Sequence, residues 1–411
     1  MSRKQSWITH RLPFGDFWQR HFSGYPIPNN LNLWYVFGVL LMVSLAIQLL
    51  SGLVLAMYYV PTEEGAFASI IHIMRDVEFG WLIRYLHTTG ASAVFLLMYL
   101  HLFRGLLYGS YKAPRELVWV VGMLLYLLLM AEAFFGYLLP WGQLSFWGAK
   151  VIISLLGAIP WVGDQLVLWI QGDYLLSGAT LGRFFALHVI GIPLLLGMTI
   201  LLHMIALHHV GSSNPEGDDT WQTHHTGDGN TKVDTQYHVE FSQYNLAHCV
   251  PFYPYGVLKD LVAVAGFLTL FFAIVFFFPT GGGVFLEADN LQPANPLITP
   301  EHIRPLWYFT PFYTLLRIIP DKEWGAICML LAIFLPIVLP WIDKHRLRCV
   351  RQRGKWHRAN LMLLAVSFTT LGVVSYLPPT SIVLAVGRTA ALGYFFFYLF
   401  LGIYSHRGGR A

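Results

Sequence analysis

The chain has 411 residues, of which 56% are hydrophobic and only 12% are charged. Soluble domains carry about 25% charged residues, so this composition excludes an ordinary soluble protein and indicates several membrane-spanning helices. The net charge of +4 is small and the basic residues fall in a few loops, which excludes nucleic acid as a partner. The three cysteines form no CxxC or CxxCH motif, so we expect neither a disulfide framework nor covalently attached haem.

Eight apolar stretches are long enough to cross a bilayer, which takes about 20 residues for each helix. They cover residues 33–60, 80–108, 116–139, 182–209, 256–278, 324–342, 360–377 and 381–404. Only helices are expected to span lipid, because an open strand would leave backbone groups unpaired. The sequence therefore predicts an all-α, polytopic membrane protein with eight transmembrane helices, divided into a first unit (1–212) and a second unit (213–411).

Basic residues cluster in segments that an even number of spans places on one side of the membrane. They lie at both termini and in the loops after the second and sixth spans: Arg3, Lys4, Arg11, Arg20, Lys112, Arg115, Lys344, Arg346, Arg348, Arg351, Arg353, Lys355, Arg358, Arg407 and Arg410. The positive-inside rule makes this side cytoplasmic. The acidic loop 211–255 fits less well, although parity places it there too. The long segments 140–181 and 280–323 are then periplasmic and are expected to form short surface helices.

Two spans each carry two histidines in the apolar interior. His87 and His101 lie 14 positions apart on the second span, which places them on about the same face and roughly 21 Å apart. His188 and His203 lie on the fourth span. Pairing His87 with His188 and His101 with His203 gives two levels, and each pair can supply both axial ligands of one haem iron. These histidines can instead bond neighbouring helices, but polar groups inside apolar spans are costly and usually functional.

The interval on the fourth span is 15 residues, which turns its second histidine away from the first. Pro193 lies between His188 and His203, and we expect it to kink the helix enough to absorb the difference. His208 and His209 are rival lower ligands, but they lie about 30 Å below His188, too far for the second level.

Glycines repeat the 14-residue interval on the first and third spans, at Gly38 and Gly52 and at Gly122 and Gly136. Glycine lets a flat macrocycle approach the backbone, whereas ordinary packing of small residues is the alternative explanation. Because both pairs match the histidine interval, we interpret them as haem contacts.

Three arginines lie close in sequence to these histidines: Arg84, Arg104 and Arg183. They can pair with haem propionates through charge-assisted hydrogen bonds. Alternatively the three arginine side chains extend to the lipid interface. The sequence leaves both roles open.

At this point the sequence resembles cytochrome b of respiratory complex III, the ubiquinol–cytochrome c oxidoreductase, of the proteobacterial type. The matching segments are 84–87, 136–149, 183–188, 254–260 and 307–309. The resemblance implies two non-covalent b-type haems, ubiquinol and ubiquinone as substrates, and a bacterial inner membrane whose lipid surrounds the spans. It also implies three protein partners: a Rieske-type iron–sulfur protein, a membrane-anchored c-type cytochrome and a second copy of the chain.

The family's function is a Q cycle, in which a periplasmic site oxidises quinol and a cytoplasmic site reduces quinone. The resemblance places the outer site among the end of the third span, the segment from Gly148, and residues 280–323. The family usually has Pro-Glu-Trp-Tyr here, with Glu as proton acceptor, whereas this chain has Leu306 in that motif. We expect Glu301 to replace the missing carboxylate, with a surface acid as the alternative. Tyr308 and Tyr137 are expected to contact quinol, or else only to pack.

The inner site, by the same resemblance, uses His208, Ser212, Lys259 and Asp260. Reducing a quinone requires proton donors at both carbonyls, and an imidazole and a carboxylic acid are suitable. A helix-end histidine and an interfacial Lys–Asp pair are the alternatives. Glu132, an acid within the third span, can carry protons or bond a neighbouring helix, and the sequence does not decide between them.

Three other functions compete with this interpretation. A two-haem anchor of a quinone-reactive dehydrogenase lacks the motifs of segments 136–149 and 307–309. A plastoquinol-oxidising relative shares the 15-residue interval but is normally split in two, whereas this chain is continuous. A transporter without a redox role would be colourless when purified.

Overall fold

The computed structural model describes residues 18–157, 159, 161–217 and 249–408, together with residues 11 and 15. Several residues used to predict the orientation lie outside this part: Arg3, Lys4 and Arg410, and most of the acidic loop, from 218 to 248. The orientation itself stays a prediction.

Within the described residues, eight helices are long and apolar enough to cross a membrane, as the sequence predicts. They are Phe37–Ala56, Gly80–Tyr108, Glu116–Leu138, Gly178–Val210, Phe252–Phe277, Lys322–Ile342, Gly354–Val374 and Ser381–Ser405, here called the first to the eighth span. The all-α polytopic prediction is confirmed. The seventh span begins six residues earlier than expected, because the basic residues Lys355 and Arg358 form its first turns.

The segments between the spans contain short helices. Gln143–Leu156 and Gly163–Gln171 follow the third span, and Thr310–Ile318 precedes the sixth, as predicted for the two long loops. A further helix, Gly65–Arg75, was not predicted. Its buried residues Ala66, Ser69, Ile70 and Ile73 fall on one face of an 11-residue helix, which is too short to register as a span.

The fourth span is interrupted by one π-helical turn, Leu187–Gly191, between Gly178–Ala186 and Ile192–Val210. A π turn contains an extra residue compared with an α-helical turn, so it absorbs the 15-residue interval between His188 and His203. Pro193 follows immediately and has no N–H to continue the regular hydrogen bonding. The adjustment therefore takes the form of a π turn that contains His188, beside the proline expected to cause it.

A short antiparallel pair of strands, β1 (Pro26–Pro28) and β2 (Cys249–Pro251), adds to the helical architecture. Ile27 pairs with Val250. The pairing fixes the chain that precedes the first span against the start of the fifth. The prediction from sequence contained only helices and missed this contact.

The spans form two groups that pack side by side. The first span packs against the second, and the third against the fourth. In the other group the seventh and eighth spans pair and enclose Thr310–Ile318. The fifth span contacts the second and the first, and so packs against the first group. Aromatic and aliphatic side chains from both groups share one buried core, so the segment before the sixth span is held directly against the histidine-bearing second span.

A buried ionic cluster joins the loop after the second span to the loop after the sixth. Arg353 donates through Nη1 and Nη2 to Asp343 at 2.6 and 2.8 Å, and Lys112 Nζ lies 3.1 Å from the same carboxylate. Tyr111 donates its hydroxyl to it at 2.6 Å. Burial raises the pKa of Asp343, but Arg353 and Lys112 outweigh burial and hold that pKa below its usual value.

We predict that Asp343→Asn destabilises the protein by about 3–5 kcal/mol, because it leaves the buried Arg353 guanidinium uncompensated. Thermal unfolding of the detergent-solubilised protein measures this change. Since the folded pKa of Asp343 is depressed, the stabilisation is present above the unfolded pKa of about 4 and is lost as the pH falls through the folded value.

Asp76→Asn is the matched control. Asp76 pairs with His72, and their side chains are 65% and 54% exposed, so its loss is expected to cost about 1 kcal/mol or less. Equal destabilisation by the two substitutions would contradict the role assigned to the buried cluster.

Candidate cofactor and quinone sites

The two upper histidines, one on the second span and one on the fourth, lie opposite each other. The ring centroids of His87 and His188 are 6.1 Å apart, and the ring planes are perpendicular, at 89°. Two imidazoles bound on opposite sides of one metal ion, with metal–nitrogen bonds of about 2 Å, have centroids roughly 6 Å apart. The separation of the two rings therefore fits a single iron held between them.

Hydrogen bonds fix the tautomers of these rings. His188 Nδ1 lies 2.9 Å from the backbone carbonyl of Glu132, which only accepts, so this nitrogen carries the hydrogen. Ser51 Oγ donates to the carbonyl of Ile47 at 2.6 Å and lies 3.0 Å from His87 Nδ1, so it is free to accept from that ring. Both histidines are then left with an unprotonated Nε2, the nitrogen form that binds a metal.

The lower histidines are also brought together. His101 and His203 are close enough for their rings to interact electrostatically. His203 Nδ1 is buried, and the backbone carbonyl of Val118 lies beside the His203 ring. The rival His208 lies elsewhere, against the ring of Tyr25, at 4.7 Å between centroids. The structure thus brings His87 close to His188 and His101 close to His203, and haem binding by these pairs stays a prediction.

Each of the four glycines faces one histidine. A methyl group built on the glycine would meet the histidine Cε1 at 2.4 Å for Gly136 and His188, 3.0 Å for Gly52 and His87, 3.2 Å for Gly122 and His203, and 3.8 Å for Gly38 and His101. The match between glycine and histidine positions therefore has a simple steric reason. The absent side chains make room for the imidazole rings as well as for a flat ligand between them.

The three arginines occupy different surroundings. Arg84 is 5% exposed, and Arg104 donates to the Ser213 carbonyl at 3.3 Å. Arg183 is exposed and donates instead to the carbonyl of Trp169. Arg84 and Arg104 thus lie within the bundle, whereas Arg183 binds the surface segment, and a role with propionates stays a prediction for all three.

A buried acid whose role the sequence analysis missed lies in the segment 280–323, which is predicted to be periplasmic. Glu287 is 6% exposed, and Asn290 Nδ2 bonds both its Oε2, at 3.2 Å, and the Tyr137 hydroxyl, at 3.1 Å. Asn290 also accepts from the backbone N–H of Ser145 at 2.7 Å, which ties the cluster to the segment after the third span. Burial raises the pKa of Glu287 to about 7. Hydrogen bonds with Asn290 and Tyr137 and the positive charge of Arg304 act in the opposite direction and offset part of this rise.

The other residues expected at the outer site are placed differently from one another. Glu301 is exposed at the surface, and Gly148 is buried close to the Tyr137 ring. Tyr308 is 1% exposed and stacks on Phe95 with 3.9 Å between centroids. Burial, followed by the nearby Glu287 carboxylate, raises the pKa of Tyr308. The geometry therefore groups Tyr137 and Tyr308 with Glu287 rather than with Glu301.

Two tyrosines missed by the sequence analysis join the predicted inner site. Tyr25 packs on His208, as described above, and Tyr35 hydrogen-bonds the Asp260 carboxylate. Burial, followed by the charge of Asp260, raises the pKa of Tyr35. Asp260 Oδ1 is buried without a hydrogen-bond partner among the described residues, so this oxygen is available to a ligand.

The remaining inner residues surround this group. Lys259 Nζ donates to the Leu31 carbonyl at 3.1 Å, and Ser212 is half-buried just beyond the end of the fourth span. His208 Nδ1 donates to the Met204 carbonyl at 2.8 Å, which leaves its Nε2 as an acceptor. The strand pairing between β1 and β2 brings Tyr25 to this position, and nothing local in the sequence indicates it.

Comparison with known proteins identifies relatives along nearly the whole chain. Residues 22–211 match the family model described as Cytochrome b/b6/petB, and residues 293–395 match the model Cytochrome b(C-terminal)/b6/petD. Cytochrome b of Allochromatium vinosum is 46% identical, over 97% of this chain and 94% of that protein. Cytochrome b of Rickettsia typhi is 40% identical, over 96% of this chain and 92% of its own length.

A solved structure matches equally broadly. A chain of a hyperthermophilic respiratory complex III superposes with a TM-score of 0.88 and 36% identity, covering 98% of this chain and 99% of that one. The eight-span architecture therefore coincides with that of a respiratory complex subunit.

We predict that Gly136→Ala abolishes one of two b-type spectral components, because the new methyl group would lie 2.4 Å from His188 Cε1 and force the ring away. Gly38→Ala is the control, since its methyl group meets the His101 ring at an ordinary 3.8 Å. Haem content per purified chain and the reduced-minus-oxidised spectrum measure the effect. Identical haem content in the two variants would rule out this steric assignment.

Proposed function

The chain belongs to the cytochrome b family, and from this premise we propose that it is the two-haem subunit of a quinol–cytochrome c reductase. It is an integral membrane protein related to a subunit of a respiratory oxidoreductase complex, and its family implies haem b. The observation that carries the proposal is the pair of opposed rings, His87 and His188, whose centroids are 6.1 Å apart. His101 and His203 lie close to each other at the lower level.

These four histidines would hold two b-type haems, and the haems would supply one-electron transfer between an outer and an inner quinone site. If each pair of imidazoles held one haem iron, that iron would keep no site for oxygen and would supply electron transfer. The proposed setting is a bacterial inner membrane, with both termini in the cytoplasm. The proposed partners are a Rieske-type iron–sulfur protein, a membrane-anchored c-type cytochrome and a second copy of the chain.

At the outer site, oxidation of quinol releases two electrons and two protons, so a proton acceptor must stand beside the electron acceptors. Glu287 is the carboxylate that the geometry favours over Glu301, because it is buried, held by Asn290 and adjacent to Tyr137. A pKa of about 7 lets it accept a proton from quinol and release it near neutral pH. Tyr137 and Tyr308 lie close to this carboxylate.

At the inner site, quinone takes up two electrons and two protons. The free Oδ1 of Asp260 and the acceptor Nε2 of His208 flank Tyr25 and Tyr35. Protonated Asp260 can donate to one quinone oxygen, and His208 can donate to the other once its Nε2 has taken up a proton from the cytoplasmic side. Lys259 and Ser212 are proposed to complete the site.

The test is quinol-dependent reduction of cytochrome c by the isolated complex, with inhibitors specific for each quinone site. We expect turnover that an outer-site inhibitor abolishes, and transient haem reduction through the inner site that Asp260→Asn suppresses. A chain that is colourless, or whose haems quinol cannot reduce, would refute the proposal and favour a non-redox role.

We predict that Glu287→Gln lowers the rate of quinol oxidation by roughly 100-fold, the usual contribution of a positioned base. Only the carboxylate form accepts a proton, so the unaltered enzyme should speed up as the pH rises through about 7 and then level off. The variant should lose this rise. Stopped-flow reduction of haem by quinol between pH 5 and 9 measures both effects.

Glu301→Gln serves as the matched variant, since it removes an exposed carboxylate and is expected to change the rate by about twofold or less. A large loss in this variant, together with a normal pH profile in Glu287→Gln, would restore Glu301 as the acceptor.

A further inference from the structure

Glu132, whose role the sequence left open, contacts one of the proposed haem ligands directly. Its Oε1 lies 3.1 Å from His188 Nδ1, beside the 2.9 Å bond from that nitrogen to its own backbone carbonyl. The two side chains are only 19% and 16% exposed. Its second oxygen, Oε2, is buried without a hydrogen-bond partner within the described residues. The carboxylate is therefore committed to His188.

This contact has a known type of chemical consequence. A metal-bound imidazole that donates its other N–H to a carboxylate is held in one orientation and becomes a more basic ligand. A more basic ligand stabilises the oxidised iron, which carries the higher charge, and so lowers the reduction potential.

The lower histidines have the opposite surroundings. In the part of the chain that the structure describes, no carboxylate is bonded to His101 or His203, whereas the buried Arg104 guanidinium interacts electrostatically with His101. A nearby positive charge favours the reduced iron. The two levels therefore differ in the side chain beside their ligands, which is a carboxyl group at the upper level and a guanidinium at the lower.

We propose that Glu132 is a positioning residue for His188 and lowers the reduction potential of the haem that His188 would hold. The inference rests on the proposed haem ligation.

The experiment is a redox titration of the purified complex at one fixed pH, with Glu132→Gln and Glu132→Leu beside the unaltered protein. Glu132→Gln keeps the shape but removes the charge, and should make reduction of the upper haem about tenfold more favourable, a rise of about 59 mV for one electron. Glu132→Leu should raise the potential further, while the backbone carbonyl still holds the ring. Electron paramagnetic resonance of the oxidised upper haem should shift in both variants.

Two internal references make the result specific. The lower-haem potential should stay constant in every variant. Glu116→Gln removes the same charge at the other end of the third span and should leave the upper potential unchanged. An upper potential unaltered by Glu132→Gln would overturn the inference, even with both haems present. Loss of the upper haem from Glu132→Leu alone would support the positioning role, whereas an unaltered protein without two haems would refute the proposed function instead.

Discussion

Imidazole rings inside hydrocarbon have to stay neutral and keep their N–H groups bonded, and much of the transmembrane bundle meets this demand. Ser51 accepts from His87, and the Glu132 carbonyl accepts from His188. Glycines on two further spans leave the space that the rings occupy. Four spans thus share one task, since two provide the rings and two provide room and acceptors. The proposed haems, the electron route and the placement of both quinone sites all depend on this arrangement.

The loops place different chemical groups at the two ends of the helical bundle. At the end predicted to be periplasmic, Asn290 holds Glu287 and Tyr137 together, so hydrogen bonds fix this acid, which lies outside the segment 305–308 that carries the usual motif. At the end predicted to be cytoplasmic, the pairing of β1 with β2 brings an aromatic segment against His208. The buried cluster around Asp343 and Arg353 holds together the loops that follow the second and sixth spans. Rigid spans position the ligands, and these loop contacts position the groups that exchange protons.

The features predicted correctly from sequence are those with a local signal. Long apolar runs predicted the eight spans. The 14-residue interval shared by His87 and His101 and by both glycine pairs predicted two histidine levels with a glycine opposite each ring. The missed features depend on contacts between distant parts of the chain. Helix Gly65–Arg75 is too short and amphipathic to resemble a span. Glu287 precedes Leu306 by 19 positions, and only the folded segment buries it. The π turn at His188 could be suspected from the 15-residue interval, but its form depends on Pro193 and the helix ending before it.

The haem content of the purified chain is the most direct measurement of the proposed ligation. Two non-covalent b-type haems per chain are expected, with two resolvable components in the reduced-minus-oxidised spectrum. Replacing His203 with leucine should remove one haem and the corresponding component, and should leave the other, held by His87 and His188, in place. A single haem in the unaltered chain, or both components intact after the replacement, would contradict the proposed structure of the site.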